Sequence, residues 1–359
     1  MSEILLDTDK LEALSGKVVT DITGAIGVLL SYIGDQSGVY RALEAHGPCT
    51  ASQLANTTGL NERYLQEFLS SNAGSGYITY DGQANEFSIT PEQAAVFVKE
   101  GDPTCVQGFI QAVVSQYATH NTALEVVKTG RGRPWSEHHI CCFCGTDRVF
   151  GPQYEENLIN SWIPSLDGIQ AKLEHGCKVV DVACGHGSST ILMAENFPNS
   201  TIHGFDSHEP SIEVAREKAK GAKLSNIEFF TNTAKEIPNN GYNFACIFDA
   251  LHDMGDPVGA AKHINDILVE DGTLMLVEPM AADTLEENLD NPVSALFLRL
   301  LYTCLYTLFE GTRGRIRIRS PSWPSSLDKS VEPGRVYTSP TDSRDSHQHD
   351  FRSVCLSRN

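Results

Sequence analysis

Residues 178–206 read KVVDVACGHGSSTILMAENFPNSTIHGFD, and this stretch determines how the rest of the chain is interpreted. Apolar residues dominate positions 179–183, which is typical of a buried parallel strand. A helix is predicted to begin at Ser188 and to stop before Pro198, and a second apolar stretch follows it. The order of strand, turn, helix and strand indicates an α/β domain with a parallel sheet.

The turn after the first strand carries two glycines, Gly185 and Gly187. Glycine lets the backbone approach a ligand closely, and the free amides at the start of the following helix can donate hydrogen bonds to an anionic group. The second strand leads into Asp206, whose carboxylate can accept hydrogen bonds from both hydroxyls of a ribose. Together these features predict a nucleotide-type site.

Two classes of cofactor use this layout. A dinucleotide fingerprint has a third glycine three residues after the second, whereas position 190 is Thr. Asp181, in the strand before the glycines, instead resembles the D-x-x-x-G-x-G signature of class I S-adenosylmethionine-dependent methyltransferases, with Ala183 where that family usually has glycine. We therefore expect adenosylmethionine, with a nicotinamide cofactor or a glycine turn without a ligand as the alternatives.

Strands and helices continue to alternate after the second strand. The pattern predicts helices at 211–222 and 258–268, and strands at 227–231, 244–248 and 273–277. A parallel sheet with helices on both faces binds its ligands at the carboxyl ends of its strands. The residues expected at these ends are Asp181, Gly185, Asp206, Asn232, Thr233, Asp249, His252 and Glu278.

The composition of the 359 residues, 41% hydrophobic and 20% charged, is that of a globular protein. A formal charge of −19 disfavours a general nucleic-acid partner. The ten cysteines follow no regular spacing, which favours reduced thiols and a cytoplasmic location. We identify no secretory signal and no apolar run long enough to span a bilayer, so no membrane partner is expected.

The N-terminal part predicts helices followed by a hairpin. Residues 11–46 contain two helical patterns, and the second, at 26–45, has a broad apolar face that should be buried. The following pattern predicts a helix at 51–57 with a capping box of Thr50 and Gln53, a helix after Asn61 with Tyr64, Leu65, Phe68 and Leu69 inward, and strands at 77–80 and 86–90. This order is that of a winged helix.

A winged helix raises the question of DNA binding, because its second helix can lie in the major groove. Here the corresponding helix, at 61–71, has Arg63 as its basic residue beside the acidic Glu62 and Glu67. Phosphate contacts dominate DNA affinity, so an acidic domain disfavours this role. We therefore expect the winged helix to serve dimerisation or to pack as a lid.

Cysteines and histidines cluster at 135–144, WSEHHICCFC. Structural zinc sites usually pair ligands two to four residues apart at two distant places, and the sequence has no second cluster, so no metal is expected. One interpretation is a loop packed by Trp135 and Phe143. Another is that Trp135, Glu137 and His138 help to form the wall of a substrate pocket.

From about residue 11 to residue 293 the chain resembles proteins that pair an N-terminal winged helix with a class I methyltransferase domain, as small-molecule O-methyltransferases do. The matching segments are IGD at 33–35 with Leu43, EHH at 137–139, DVACGHGSSTILMA, GFDSHEPSIEVA, FDALHDMGDPVGAA and LVEPMAAD, of which the later ones are the more specific. The resemblance implies a Rossmann-like sheet, adenosylmethionine as cofactor, a small-molecule methyl acceptor and a homodimer formed through the N-terminal domain.

The resemblance also implies roles for the site residues. Those expected in the cofactor site are Asp181, Gly185 and Gly187 at the methionine end, Asp206 at the ribose, Asn232 and Thr233 beside the adenine, and Asp249. His252 stands where O-methyltransferases of this layout have a histidine that removes the proton of a phenol, and Glu278 is placed to orient it. A histidine in this loop can also simply pack under the cofactor.

The chain departs from this pattern after the fifth strand. Residues 292–309 predict an apolar helix, but the residues after them are rich in Ser, Pro, Arg and Asp and predict a disordered tail. The sheet is therefore expected to lack its last two strands, which would expose an edge. The predicted domains are a helical and winged-helix domain at 1–170, a methyltransferase domain at 171–309 and the tail at 310–359.

The function expected from the sequence is adenosylmethionine-dependent methylation of a small molecule, at an oxygen, with His252 as the base. Two alternatives stay open. One is a non-catalytic cofactor-binding or winged-helix regulatory protein, and the other is an inactive, truncated variant.

Overall fold

The N-terminal part of the chain is helical with one small hairpin. The computed structural model describes residues 6–279, 285–289, 336–338 and 351–357. Its first elements are α1 (Thr8–Gln36), α2 (Val39–His46), α3 (Ala51–Thr58), α4 (Glu62–Gly74), β1 (Thr79–Asp81), β2 (Glu86–Ser88) and α5 (Pro91–Phe97). The order of α3, α4 and the hairpin confirms the winged helix.

The helix starts of this winged helix follow the sequence closely. At α3 the Thr50 side chain accepts from the Gln53 amide while the Gln53 side chain accepts from the Thr50 amide, which is the expected capping box. At α4 the Asn61 side chain accepts from the amides of Arg63 and Tyr64. Both caps satisfy amides that have no partner within the helix.

Two predictions in this region are wrong. The pattern at 26–45 is not one helix, because α1 runs on to Gln36 and the chain then turns at Gly38, whose φ of 75° is left-handed. On α4, Tyr64 is 80% exposed, although Leu65 and Leu69 are buried as expected. The buried stripe of α4 continues to Asn72 instead, at helical spacing from Phe68.

The long first helix also corrects the expectation about apolar runs. Within the described residues, α1 is long and apolar enough to cross a membrane by length and composition. Such a helix near the N-terminus is weak evidence for a membrane segment. The large apolar side chains that it leaves exposed include Leu11, Leu14, Val18, Val19, Ile22, Ile26 and Ile33.

The rest of the described chain builds a sheet and its covering helices. The helices are α6 (Gln107–Ala118), α7 (His120–Thr129), α8 (Ile140–Asn157), α9 (Ile169–His175), α10 (Ser188–Asn196), α11 (Glu209–Gly221), α12 (Pro257–Ile267) and α13 (Leu285–Leu289). The strands are β3 (Lys178–Val182), β4 (Thr201–Asp206), β5 (Ile227–Thr231), β6 (Tyr242–Phe248), β7 (Leu268–Pro279), β8 (Val336–Thr338) and β9 (Phe351–Ser357).

Five parallel strands lie in the order β5-β4-β3-β6-β7, which confirms the predicted Rossmann-like α/β fold. The predicted alternation of strands and helices is confirmed as well. One face of the sheet carries Val179, Phe244 and Met275, which pack on the apolar residues of α9 and α10. The other carries Val180 and Ile247 and packs on α12. Both faces are covered, and open parallel sheets bind ligands at the carboxyl ends of their strands, so a ligand is expected at that edge.

The C-terminal segments differ from the prediction of an incomplete sheet. Strand β9 pairs antiparallel with β7, with Leu274 opposite Leu356, and β8 pairs antiparallel with β9. Residues 336–338 and 351–357 are thus strands of the sheet rather than parts of a disordered tail. The other residues predicted to form the tail, and the apolar helix predicted at 292–309, lie outside the described residues.

The chain divides into two units. The first comprises Met1–Tyr117 and Cys144–Pro152, and the second comprises Ala118–Phe143 and Gln153–Asn359. Residues 118–143 and 153–170, which the sequence assigned to the N-terminal domain, belong in this division to the unit that contains the sheet. All the predicted site residues lie in that second unit.

Candidate active site

The turn between β3 and α10 presents open backbone at the carboxyl end of the central strand. Ala183, Gly185 and Gly187 have positive φ angles of 59°, 52° and 77°. A Cβ atom on Gly187 would lie 2.7 Å from the ring of Phe229, whereas one on Gly185 would meet nothing within 4 Å. Gly187 is therefore required by packing, while the backbone at Gly185 faces open space.

Asp181 lies on β3 just below this turn and is 1% exposed. Its Oδ2 accepts hydrogen bonds from the hydroxyls of Ser189 at 2.6 Å and Thr190 at 2.7 Å. Burial raises the pKa of Asp181 to about 6, against the lowering effect of these bonds, and the nearby charge of Asp206 adds to the rise. The carboxylate thus fixes the first turn of α10.

Asp206 ends β4 with its side chain turned to the same corner. Its Oδ2 accepts from the Gly185 amide at 2.9 Å, and its Oδ1 accepts from the His208 amide at 2.8 Å. Burial raises the pKa of Asp206, while the two backbone bonds oppose the rise. An ionised carboxylate has about four acceptor positions, so each oxygen can still accept another donor.

Asn232 and Thr233 follow β5 and lie next to Asp206 along the sheet edge. The Asn232 amide donates to the Asp206 carbonyl at 3.1 Å. The Thr233 hydroxyl donates to the Glu236 carboxylate at 2.8 Å in a capping box. Thr233 therefore stabilises its own turn, and the Asn232 side chain donates to the Glu236 carbonyl of the same turn at 3.5 Å.

His252 and Glu278 meet at the other half of the edge, after β6 and near the end of β7. The Nδ1 of His252 donates to Oε2 of Glu278, and Oε1 of Glu278 accepts from the Leu251 amide at 2.8 Å. On the opposite side of the ring, Nε2 lies 3.7 Å from Oδ1 of Asp253. The imidazole is thus held between two carboxylates, and the backbone bond fixes the orientation of Glu278.

The carboxylates decide the protonation of this histidine. Burial lowers the pKa of His252, but the charges of Asp253 and Glu278 and the bond to Glu278 outweigh it and raise the pKa well above its ordinary value. Burial in turn raises the pKa of Asp253 to about 6, against the lowering effect of His252. A group with a perturbed pKa at a ligand edge is typical of a functional site.

Asp249 lies with this pair rather than with the ribose corner. Its φ of 49° is left-handed, and its amide donates to the Val277 carbonyl at 2.8 Å. The ligand atoms of Asp249, His252 and Glu278 lie within 4.8 Å of one another, and they form the one group of this kind found among the described residues. The cysteine and histidine cluster at 135–144 forms no such group within the described part.

The sequence reasoning missed three sets of partners. Ser189 and Thr190 bind Asp181, Asp253 lies beside His252, and the His208 ring packs at a tilt against Phe143 at a ring distance of 4.3 Å. The hydroxyls at the start of α10 could have predicted the first contact, because a buried acid in the preceding strand needs hydrogen-bond donors. The contact of Phe143 joins positions far apart in the chain and had no signal in the sequence.

Two family models match the chain. Residues 173–307 match the model described as Methyltransferase domain, and residues 24–99 match the Rv2258c-like winged HTH domain. Among curated proteins, the demethylmenaquinone methyltransferase of Listeria welshimeri is 30% identical over 110 residues, which are 30% of this chain and 47% of that protein. The chain thus spans about half the length of the curated relatives that it matches.

Solved structures with the same fold cover nearly the whole chain. The mitomycin 7-O-methyltransferase MmcR has a TM-score of 0.70 at 19% identity, over 98% of this chain and 100% of that chain. Human N-acetylserotonin methyltransferase, solved in complex with SAM, has a TM-score of 0.67 at 14% identity, over 100% of both chains. At such identities the likeness establishes the fold.

Residues 173–307 thus match a methyltransferase domain, and the solved structures give it the class I fold. A winged HTH domain matches residues 24–99 before it.

Proposed function

We propose that this protein is an adenosylmethionine-dependent methyltransferase that acts on a hydroxyl oxygen of a small molecule. The observation that carries the proposal is the pairing of His252 with Glu278 at the same sheet edge as the open glycine turn and Asp206. A base held by a carboxylate beside a nucleotide-type site is what methyl transfer to a hydroxyl requires.

The described residues fit the cofactor. The backbone at Gly185 is open where a Cβ would meet nothing within 4 Å, and Asp206 keeps acceptor capacity for a ribose. Asn232 would approach the adenine, with Thr233 shaping the turn. Asp181, whose carboxylate binds the hydroxyls of α10, would support the methionine end through the first turn of that helix.

The chemistry divides between cofactor and protein. Adenosylmethionine, when bound, supplies an electrophilic methyl group on a sulfonium. In its neutral form, His252 would take the proton of the acceptor hydroxyl. Glu278 would orient the ring and stabilise the imidazolium that results. Asp249 and Asp253 add negative charge around this histidine. The protein otherwise contributes alignment of the two reactants and exclusion of water.

Calorimetric titration of adenosylmethionine into the full chain tests the cofactor site. Asp206→Ala should weaken binding tenfold or more, because two ribose hydroxyls lose a charged acceptor. Asp271→Ala is the matched control, since that carboxylate is 75% exposed and pairs with Lys172 at the opposite end of the sheet. An unchanged affinity in Asp206→Ala would remove the ribose role.

Labelled methyl transfer to a panel of phenols and other hydroxyl compounds tests the reaction. With an acceptor identified, His252→Gln should lower turnover by about 100-fold, the size typical of a lost general base. Normal turnover by this variant would leave His252 as a packing residue. Cofactor binding without transfer to any acceptor would favour the non-catalytic alternative.

We propose no DNA-binding role for the winged helix. Arg63, the basic residue of α4, pairs with Glu67 at 2.7 Å. We propose that this domain serves assembly of a homodimer through the exposed apolar side of α1, where Leu14, Val18 and Ile22 follow helical spacing. We also keep a cytoplasmic location as a proposal, because the eight cysteines with described side chains are free thiols.

A further inference from the structure

One segment that the proposed reaction does not use packs over the ribose corner of the site. It runs from Gly130 to Phe143, between the end of α7 and the first turn of α8, and is named the cover segment below. Its Phe143 ring lies 4.3 Å from the ring of His208, with 33° between the ring planes. Both side chains are buried, so water is largely excluded from the contact between the two rings.

His208 connects this contact to the ribose carboxylate. The His208 amide donates to Oδ1 of Asp206 at 2.8 Å, and its ring Nδ1 lies 2.8 Å from the Ser211 hydroxyl. Asp206 itself is only 6% exposed. Through His208, the cover segment is therefore in contact with the residue proposed to bind the ribose.

Arg131 ties the start of the cover segment both to α7 and to Glu137, further along the segment. The Arg131 guanidinium donates to both carboxylate oxygens of Glu137, at 3.0 and 2.8 Å, and its Nε donates to Glu125 at 3.0 Å. The bonds to Arg131 lower the pKa of Glu137, as expected for a paired carboxylate. Trp135 packs between His138, at 5.2 Å, and Phe143, at 5.4 Å.

Two glycines lie at the start of the cover segment, where a hinge could form. Gly130 and Gly132 have φ angles of 68° and 75°, on either side of Arg131. Glycine crosses between backbone conformations at lower cost than any other residue, and hinges of closing segments usually lie in a few such positions. The Arg131 pair therefore lies at the point where a swing of the cover segment would begin.

We propose that the cover segment is the lid of the cofactor site, held shut by the Arg131–Glu137 pair and the Phe143–His208 contact, and that it controls how fast the cofactor enters and leaves. The proposal rests on the proposed function, because it takes Asp206 as the ribose ligand. It assigns Trp135 and Phe143 to the cofactor rather than to the methyl acceptor.

Binding kinetics of tritiated adenosylmethionine, measured by filter binding and by chase with unlabelled cofactor, test the lid. Arg131→Ala destabilises the shut state of both the free and the bound protein, so the association and dissociation rates should both rise about fivefold with little change in Kd. Lys172→Ala is the matched control. It removes an ion pair of similar exposure, 34% against 30%, at the opposite end of the sheet and should change neither rate.

Phe143→Leu gives a second, independent opening of the lid while keeping an apolar side chain. Because the ring contact with His208 is lost in Phe143→Leu, dissociation should again be faster than in the parent protein. Arg131→Lys keeps the charge, so its exchange should be slower than that of Arg131→Ala. Unchanged rates in Arg131→Ala and Phe143→Leu would overturn the lid, as would a higher Kd with an unchanged association rate.

The same data separate this inference from the proposed function. If Asp206→Ala loses affinity for adenosylmethionine while the lid variants exchange it at the parent rate, the cofactor site is supported and the lid is excluded. If Asp206→Ala binds as the parent does, the ribose assignment fails, and the lid fails with it.

Discussion

His252 is the proposed base, and its surroundings bias it toward the protonated state. Glu278 contacts Nδ1, and Asp253 lies 3.7 Å from Nε2. Both carboxylates favour the imidazolium, which cannot accept a proton. His252 is therefore a strong base, but it can accept a proton only at a pH high enough for its imidazole to be neutral.

A pH profile of kcat should show this bias. Because the pKa of His252 is raised, the acid limb of the profile should have its midpoint above about pH 6.5, the ordinary histidine value. Glu278→Gln removes one of the charges that hold the proton, so the midpoint should move to lower pH by about one unit while the maximum rate also falls. Glu270→Gln, at the other end of β7, is the matched control. A midpoint that stays fixed in Glu278→Gln would contradict the assignment.

Asp181 predicts a pH dependence of stability. Its folded pKa of about 6 lies above the unfolded value near 3.8, so the folded state binds the proton more tightly. Its contribution to stability is full below the unfolded pKa and is lost as the pH rises through the folded pKa. Asp181→Asn keeps an acceptor for Ser189 and Thr190 without the charge. Relative to the parent, its free energy of unfolding in urea should gain about 1 kcal/mol or more between pH 5 and pH 7.5. If the difference in free energy of unfolding between Asp181→Asn and the parent is the same at pH 5 and pH 7.5, the buried charge is compensated elsewhere.

The sequence predicted residues whose role follows from local backbone. Gly185, Gly187 and Asp206 could be identified because a strand, a tight turn and a second strand bring them to one edge. Asp249, which the sequence also assigned to the cofactor, groups with His252 and Glu278. That grouping depends on how β6 and β7 pair and on the left-handed φ of Asp249. No periodic pattern in the sequence indicates either feature.

At the scale of elements, α6 and α8 pack through glycines. A Cβ atom on Gly145 would lie 2.6 Å from the Ala112 amide nitrogen, and one on Gly108 would lie 2.8 Å from that of Val149. These are backbone contacts, which cannot yield as a flexible side chain can. The two helices therefore approach as closely as their backbones allow.

Gly145→Ala should destabilise the protein by about 1–3 kcal/mol, because the added methyl group forces the helices apart. Gly74→Ala, at the last residue of α4, is the control, since its Cβ would meet nothing within 4 Å. Urea unfolding followed by circular dichroism compares the two variants. Equal stability of both would mean that α6 and α8 can shift at no cost.

The element boundaries show what the sequence could not predict. Strands β3 to β7 were found because parallel strands buried on both faces are continuous apolar runs. The break at Gly38 was missed, since apolar spacing continues across it from α1 into α2. Strands β8 and β9 were missed because they lie in a stretch with little apolar periodicity. They gain their place by pairing, β9 with β7 and β8 with β9.

At the scale of the whole molecule, the exposed apolar side of α1 is the surface that we propose for assembly. Leu14 is 61% exposed, Val18 46% and Ile22 59%. Their spacing of four residues makes one stripe, which is the geometry that packs against a second helix. A second copy of α1 is the occupant that we propose, and a membrane is the competing one.

Light scattering after size-exclusion chromatography distinguishes these occupants. The parent protein should run at about twice the 39.2 kDa of one chain, because burial of seven large apolar side chains from each copy outweighs the entropy of association. Val18→Asp with Ile22→Asp places two charges in the stripe and should give a monomer that still binds adenosylmethionine, since the cofactor residues lie in the other unit. Ala13→Asp with Thr20→Asp adds the same charge to the opposite side of α1 and should stay dimeric. A monomeric parent that floats with liposomes, and a stripe variant that does not, would instead assign α1 to the membrane.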